Sequence, residues 1–337
     1  MAQNVTNPPT PLVTGQPPRA RKRSRTRIAL IISSSVLIIA LLAVGAYFLF
    51  LPQVQPLSLP KVPANLTLDD LGLNNWQVYQ KPIPAHILED QSIQPVVQQD
   101  KDQIFLEAAF GEALIKQGSA TRALDYLKAA AQSEPDNLRY TNDYRIALRD
   151  LKRYDEEHTF FEQLVAQHNS TNTVLNMALV YVDEMRSCPK PPDGLVCQAQ
   201  DSSRSISTLN PILEQHPYNI VARFARGLNN LYWPTLMGHL PQAQTDLQYS
   251  VSLLKTLNSI KHTFTPTAYA ALGDVFAKSN KTADARNVWL NGKNVDPQAT
   301  ILDQRLAIPQ DKLVDQEDTT IRGLGVYVDT GIALFWS

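Results

Sequence analysis

Apolar positions run through this chain in three different rhythms. From Ile28 to Leu51 they are continuous, IALIISSSVLIIALLAVGAYFLFL, with no charged side chain in the run. A helix of that length spans roughly 36 Å, against a hydrocarbon core of about 30 Å, so a single transmembrane helix is predicted over 28–51. Pro52, Pro56, Pro60 and Pro63 follow at intervals of three or four residues, a spacing that suits an extended spacer over 52–66. Residues 67–100 form an N-terminal extension in which Thr67 or Asp69 can cap a short helix. Its Trp76 and Tyr79 are expected either to pack on the first folded unit or to rest at a membrane interface. From about residue 101 the apolar positions take the period of amphipathic helices.

A longer period is laid over that one. Glu107, Phe110, Gly111 and Leu114 are followed by Ala123, Leu127, Ala130 and Pro135. Tyr269, Leu272, Gly273 and Phe276 are followed, at the same spacings, by Ala285, Trp289, Gly292 and Pro297. Each stretch describes two helices drawn close by small residues and stopped by a proline. Both resemble the tetratricopeptide repeat (TPR), the first departing from it by Glu107 at the large aromatic position. Degenerate copies lie between. Glu157 and Phe161 stand one repeat after Ala123 and Leu127, behind the turn LKRYDEE, with Asn169 in the proline slot. Leu175, Ala178 and Val182 share one face of a third first-helix, whose second helix SRSISTLNPILEQHP ends at Pro217. Phe224, Gly227, Leu228, Ala243 and Leu247 mark a fourth repeat with a longer turn, WPTLMGHLPQ.

The resemblance covers about residues 101–300 and implies an all-α, right-handed superhelix of about five helix pairs, with the first helix of each pair lining a concave face. In that register the inward positions are Phe105, Ala108 and Glu112; Arg139, Asn142, Ile146 and Arg149; and Thr173, Asn176, Val180 and Asp183. Phe224, Leu228 and Leu231, then Ala270, Asp274 and Lys278, continue them. Arg139, Asn142, Arg149, Asn176 and Phe224 are the candidate peptide-binding set, because asparagine bonds backbone amides and arginine takes carboxylates. No lysine stands where chaperone-binding relatives place their carboxylate clamp. The tail, 301–337, leaves the pattern: after the polar QDKLVDQEDTT, the stretch IRGLGVYVDTGIALFWS suits a short β hairpin, a cap on the last repeat, or a strand docked on a partner.

Charge then orients the chain. Arg19, Arg21, Lys22, Arg23, Arg25 and Arg27 precede the apolar run, and the first acidic residue is Asp69. The other 25 of 31 basic residues face 32 acids, so the remainder is mildly acidic. Basic residues before the span predict a disordered cytoplasmic tail over 1–27, a plasma-membrane anchor, and an extracytoplasmic C-terminal domain. Signal cleavage near Val44-Gly45-Ala46, and a nucleic-acid role for RARKRSRTR, are the weaker alternatives. Asn65, Asn169 and Asn280 begin formal glycosylation sequons, leaving open a eukaryotic type II protein.

No catalytic motif accompanies this architecture. The six histidines form no HExxH, and no GxSxG elbow, phosphate loop or GxGxxG fingerprint is present. Asp183 and Glu184 fit a solvated helix end better than a site. Cys188 and Cys197 bracket CPKPPDGLVC within an insertion over 186–201, between the helices of the third repeat. On the outer side of a membrane this pair is expected to form a disulfide, since two further zinc ligands are wanting. The expected protein is a non-enzymatic scaffold for protein or peptide partners in envelope assembly or secretion, held to the bilayer by 28–51, with no cofactor, metal or nucleic acid. The alternative is a catalytic or non-catalytic subunit of a cell-envelope enzyme.

Overall fold

The computed structural model describes residue 38 and residues 59–97, 100–256 and 264–336. The basic tail over 1–27, the transmembrane span apart from Ile38, and the spacer residues 52–58 lie outside the described residues. Among the described residues no helix is long and apolar enough to cross a membrane. Those from 59 onward belong to one compact unit, Val54–Ser337.

Within that unit a single turn, α1 (Trp76–Tyr79), precedes five helix pairs. They are α2 (Lys101–Lys116) with α3 (Ala120–Ser133), α4 (Leu138–Asp150) with α5 (Tyr154–His168), and α6 (Thr171–Glu184) with α7 (Leu195–Gln215). α8 (Ile220–Tyr232) with α9 (Leu240–Thr256), and α10 (Phe264–Lys278) with α11 (Thr282–Val295), complete the stack. The first helices also touch one another in order, α2 to α4 to α6 to α8 to α10, and so form one continuous inner face.

Small residues set the spacing within pairs, as the sequence period implies. A methyl group on Gly273 would lie 2.0 Å from Trp289 Nε1, and one on Gly111 would lie 2.7 Å from the Leu127 side chain. Trp289 is fully buried, and its ring N–H donates to Ala270 O at 3.1 Å. The turns between pairs are equally economical. After Pro135 and Pro217 the chain needs two residues to reach the asparagine that starts the next helix. Asn137 Oδ1 accepts the Arg139 N–H at 3.1 Å, and Asn219 Oδ1 accepts the Ala222 N–H at 2.9 Å. In the second repeat, where Asn169 replaces the proline, Ser170 and Thr173 form a reciprocal capping box instead.

Two expectations are corrected. The Cys-bracketed segment is not wholly a loop, because α7 begins at Leu195 and takes Cys197 into its first turn. Much of the insertion therefore lengthens the second helix. The tail forms no hairpin, and no strand occurs among the described residues. Its first part does cap the stack: α12 (Thr300–Leu306) packs on α10 and α11, burying Leu302, and α13 (Leu313–Gln316) buries Leu313. After the turn at Gly323–Gly325 the chain is extended as far as Ile332 and returns along the inner face, where side chains rather than a neighbouring strand bond its backbone, and it closes in a 3-10 turn over Ala333–Phe335.

A candidate peptide-binding groove filled by the chain itself

The inner face is charged at its middle and aromatic beside it. Arg145 on α4 and Asp183 on α6 are both fully buried and paired through Arg145 Nη1 and Asp183 Oδ2. Isolated buried charges are costly, so bonds to the other groups of such a pair stabilise it. Here the tail supplies the partners. Thr330 Oγ1 donates to Asp183 Oδ1 at 2.5 Å and accepts from Arg145 Nη1 at 2.9 Å. Arg145 Nη2 donates to the Thr330 carbonyl at 2.6 Å and to Asn142 Oδ1 at 3.1 Å.

Three contacts of one kind run along the tail. Arg186 Nη2 donates to Val328 O at 2.8 Å, Arg145 to Thr330 O, and Asn142 Oδ1 accepts the Ile332 N–H at 3.1 Å. Alternate residues of an extended segment point their backbone groups to one edge, and the face holds that edge. Arg149 adds charge, donating to Asp329 Oδ1 at 3.0 Å and to Thr330 Oγ1 at 3.1 Å. Beyond Ile332 the tail ends in an aromatic cluster. The Phe335 ring stacks on Phe264 at 4.0 Å between centroids and meets Phe224 edge-on at 6.0 Å. A shallow apolar cleft remains between the tail and α6 and α8, lined by Leu179, Val182, Phe224 and Leu228.

A second segment enters from the other side. Arg139 Nη1 donates to the carbonyls of Val78, Tyr79 and Lys81 at 3.3, 3.2 and 2.7 Å, while its other nitrogens hold Glu112 at 2.7 and 3.0 Å. Tyr79 Oη accepts the Leu138 N–H at 3.3 Å, and Leu71 O accepts the Ile220 N–H at 3.0 Å. Even Pro60, in the expected spacer, takes a hydrogen bond from Tyr249 Oη at 2.7 Å. Tyr79 and Trp336 meet with ring centroids 5.0 Å apart, so the two segments touch.

The candidate residues therefore divide. Asn142, Arg149 and Phe224 lie against the tail, whereas Arg139 holds the N-terminal extension. Asn176 Nδ2 is spent between α4 and α6, on Thr141 Oγ1 and Asn172 O, both at 3.0 Å. Asp183 is no solvated helix end; it lies at the centre of the groove. Arg145 was not among the sequence candidates. It stands one repeat after Gly111, so its signal was a cation in a slot that the outer repeats fill with glycine.

Titration follows burial. Burial and the adjacent Asp183 charge push the Glu157 carboxyl up to about 10, so it is neutral beneath the groove at pH 7. At the far end burial pushes Lys278 down to about 8; its ammonium donates to the carbonyls of Leu231, Trp233 and Arg322 at 3.0, 2.9 and 2.6 Å. Nearby, Asp274 holds Arg305 at 2.9 and 3.1 Å and Arg322 at 2.9 Å. Burial and that carboxylate push Glu317 up to about 8. These perturbed groups face the chain's own segments rather than an open cleft.

The cysteines follow Arg186, Cys188 in the turn after α6 and Cys197 in the first turn of α7. Cys188 and Cys197 have Cα atoms 5.8 Å apart, compatible with the disulfide in which their sulfurs are joined. Asp201 Oδ2 lies 3.6 Å from Cys188 Sγ and 3.9 Å from Cys197 Sγ, but bonded sulfurs offer a metal no thiolate.

No protein-family model matches the chain, and no curated protein matches it. Among solved structures it is similar to TTC0263, a thermophilic TPR protein of Thermus thermophilus, with 17% identity and a TM-score of 0.46 over 60% of this chain and 95% of that one. It is also similar to YrrB, a TPR protein described as having an unusual peptide-binding site, with 12% identity and a TM-score of 0.36 over 67% of this chain and 100% of that one. MamA AMB-1 matches with 15% identity and a TM-score of 0.34 over 62% of this chain and 100% of that one. At such values nothing about this chain's ligands follows from them. Its own helix pairs, drawn together at small residues, are a TPR-like fold whose inner face is filled by segments from both ends of the unit.

Proposed function

We propose that this protein is a non-catalytic scaffold, anchored by residues 28–51, whose helix-pair domain lies outside the cytoplasm and binds extended protein segments on its inner face. A role in envelope assembly or secretion fits that placement. One observation carries the binding function: the inner face already grips an extended segment, residues 328–332, by alternating backbone contacts from Arg186, Arg145 and Asn142. Such contacts are indifferent to most side chains and suit peptide recognition. The uncharged run behind a basic cluster supports the anchor, and the disulfide-compatible cysteines support the outer location.

The test has two arms. Protease added to intact cells should remove the C-terminal domain, and protection of that domain would refute the topology. A photocrosslinker at Leu228, in the cleft, should give one defined intermolecular adduct whose yield changes when Asn142→Ala and Arg149→Ala are combined, since these residues hold whatever segment occupies the face. An adduct unchanged in that variant would place binding on another surface.

A further inference from the structure

Residues 326–336 are bound like a ligand. Their backbone is held by side chains of α4 and the turn after α6, as a partner's would be, and their polar centre is specific. Thr330 is almost fully buried, with its hydroxyl donating to Asp183 and accepting from Arg145 and Arg149. A residue without a hydroxyl there leaves a buried carboxylate short of a donor. Gly331 follows, then buried Ile332, and Phe335 enters the aromatic site formed by Phe224 and Phe264.

We infer that residues 326–336 are an intramolecular competitor for this groove, and that the partner presents a segment of the same pattern: an extended stretch with a hydroxyl residue and an apolar residue two positions on, then a tight turn that presents an aromatic residue five positions after the hydroxyl. This rests on the scaffold function proposed above and names its partner class. The tail is joined to the capped last repeat through Gly323–Gly325, and so short a tether gives it an effective concentration on the order of millimolar. A partner at ordinary cellular concentration succeeds only when its segment fits better or is held nearby. The groove is thereby closed to weak, non-matching segments without loss of its contacts.

The experiment uses the full chain and a fluorescently labelled synthetic peptide of residues 326–336. Thr330→Val weakens the built-in competitor while keeping its apolar anchors. The peptide should bind this variant at least about tenfold more tightly than it binds the wild type, the factor expected for one hydrogen bond to a charged group. The same peptide carrying valine in place of its threonine should bind the variant about tenfold more weakly than the natural peptide. Equal binding to wild type and variant would overturn the competition. If a scrambled peptide binds the variant as well as the natural one, the pattern is wrong while the scaffold function stands; if no peptide binds either protein, the competitor is overturned and the scaffold function is decided by the crosslinking arm above. Hydrogen exchange of the wild type gives a check that needs no variant. The Ile332 amide, which the groove holds through Asn142, should exchange well before those of α6, and exchange at the same rate would show a tail that never leaves.

Discussion

Arg145 and Asp183 are paired on adjacent inner helices, each fully buried, and share one hydroxyl, that of Thr330. The pair thus joins the second repeat, the third repeat and the tail at a single point. Removing the arginine alone leaves a carboxylate in the interior beside Glu157. Arg145→Met should destabilise the unit by about 3–5 kcal/mol, measured by chemical denaturation, with Asp183→Asn in the same chain recovering a good part of the loss. Full additivity of the two substitutions would refute the coupling.

Glu157 gives the unit a pH dependence of known sign. Its carboxyl rises from an ordinary 4.5 to about 10 in the folded state. Between those values the folded chain holds a proton that the unfolded chain has released, so this group's contribution to stability falls as pH rises. Denaturation midpoints at pH 5 and pH 9 should therefore differ more for wild type than for Glu157→Gln. An unchanged difference would assign the slope to other groups.

Close packing at glycine predicts a second stability effect. Gly273→Ala must displace Trp289, whose ring stands 2.0 Å from the new methyl, and should cost about 1–3 kcal/mol. Gly118→Ala meets no atom within 4 Å, but φ is +76° there. Its cost should be about 1 kcal/mol, from backbone strain alone. Denaturation of the two variants side by side separates overpacking from strain.

The cysteine pair predicts a redox effect. Cys188 and Cys197 are nine positions apart, and closing so short a loop should contribute about 2.7 kcal/mol by the chain-entropy argument. Alkylation without reductant should leave the intact mass of the native protein unchanged, and reductant should lower its denaturation midpoint. Labelling of both thiols in untreated protein would rule the bridge out.

The repeat frame was legible in the sequence because it depends on local chemistry. Gly273 against Trp289, and the prolines before Asn137 and Asn219, act within a pair or across one turn, where fixed spacing records them. The start of α7 was obscured because Pro189, Pro191 and Pro192 suggest a loop, and because the helix begins after Gly194 with no capping side chain and no acidic residue in its first turn. The occupant of the groove left still less trace. Thr330 and Arg145 stand 185 positions apart, and an extended segment held by side-chain-to-backbone bonds imposes almost no periodicity on its own residues. Its apolar residues suggested a strand or hairpin; the backbone is extended as far as Ile332, but side chains stand where a neighbouring strand would. Arg145 itself was hidden by the regularity of the repeat, since the frame asks for a small residue there.

Stacked repeats ordinarily interact only with their neighbours, so their ends can fray while the middle stays folded. Here the contact between Tyr79 and Trp336 belts the stack. The first segment also reaches the fourth repeat through Leu71 and Ile220, and the last reaches the second through Thr330 and Arg145. While the tail is seated, loss of an end repeat must break bonds at the centre and the ends are held to the middle; a partner that displaces the tail unfastens that belt and leaves the end repeats to their neighbours alone.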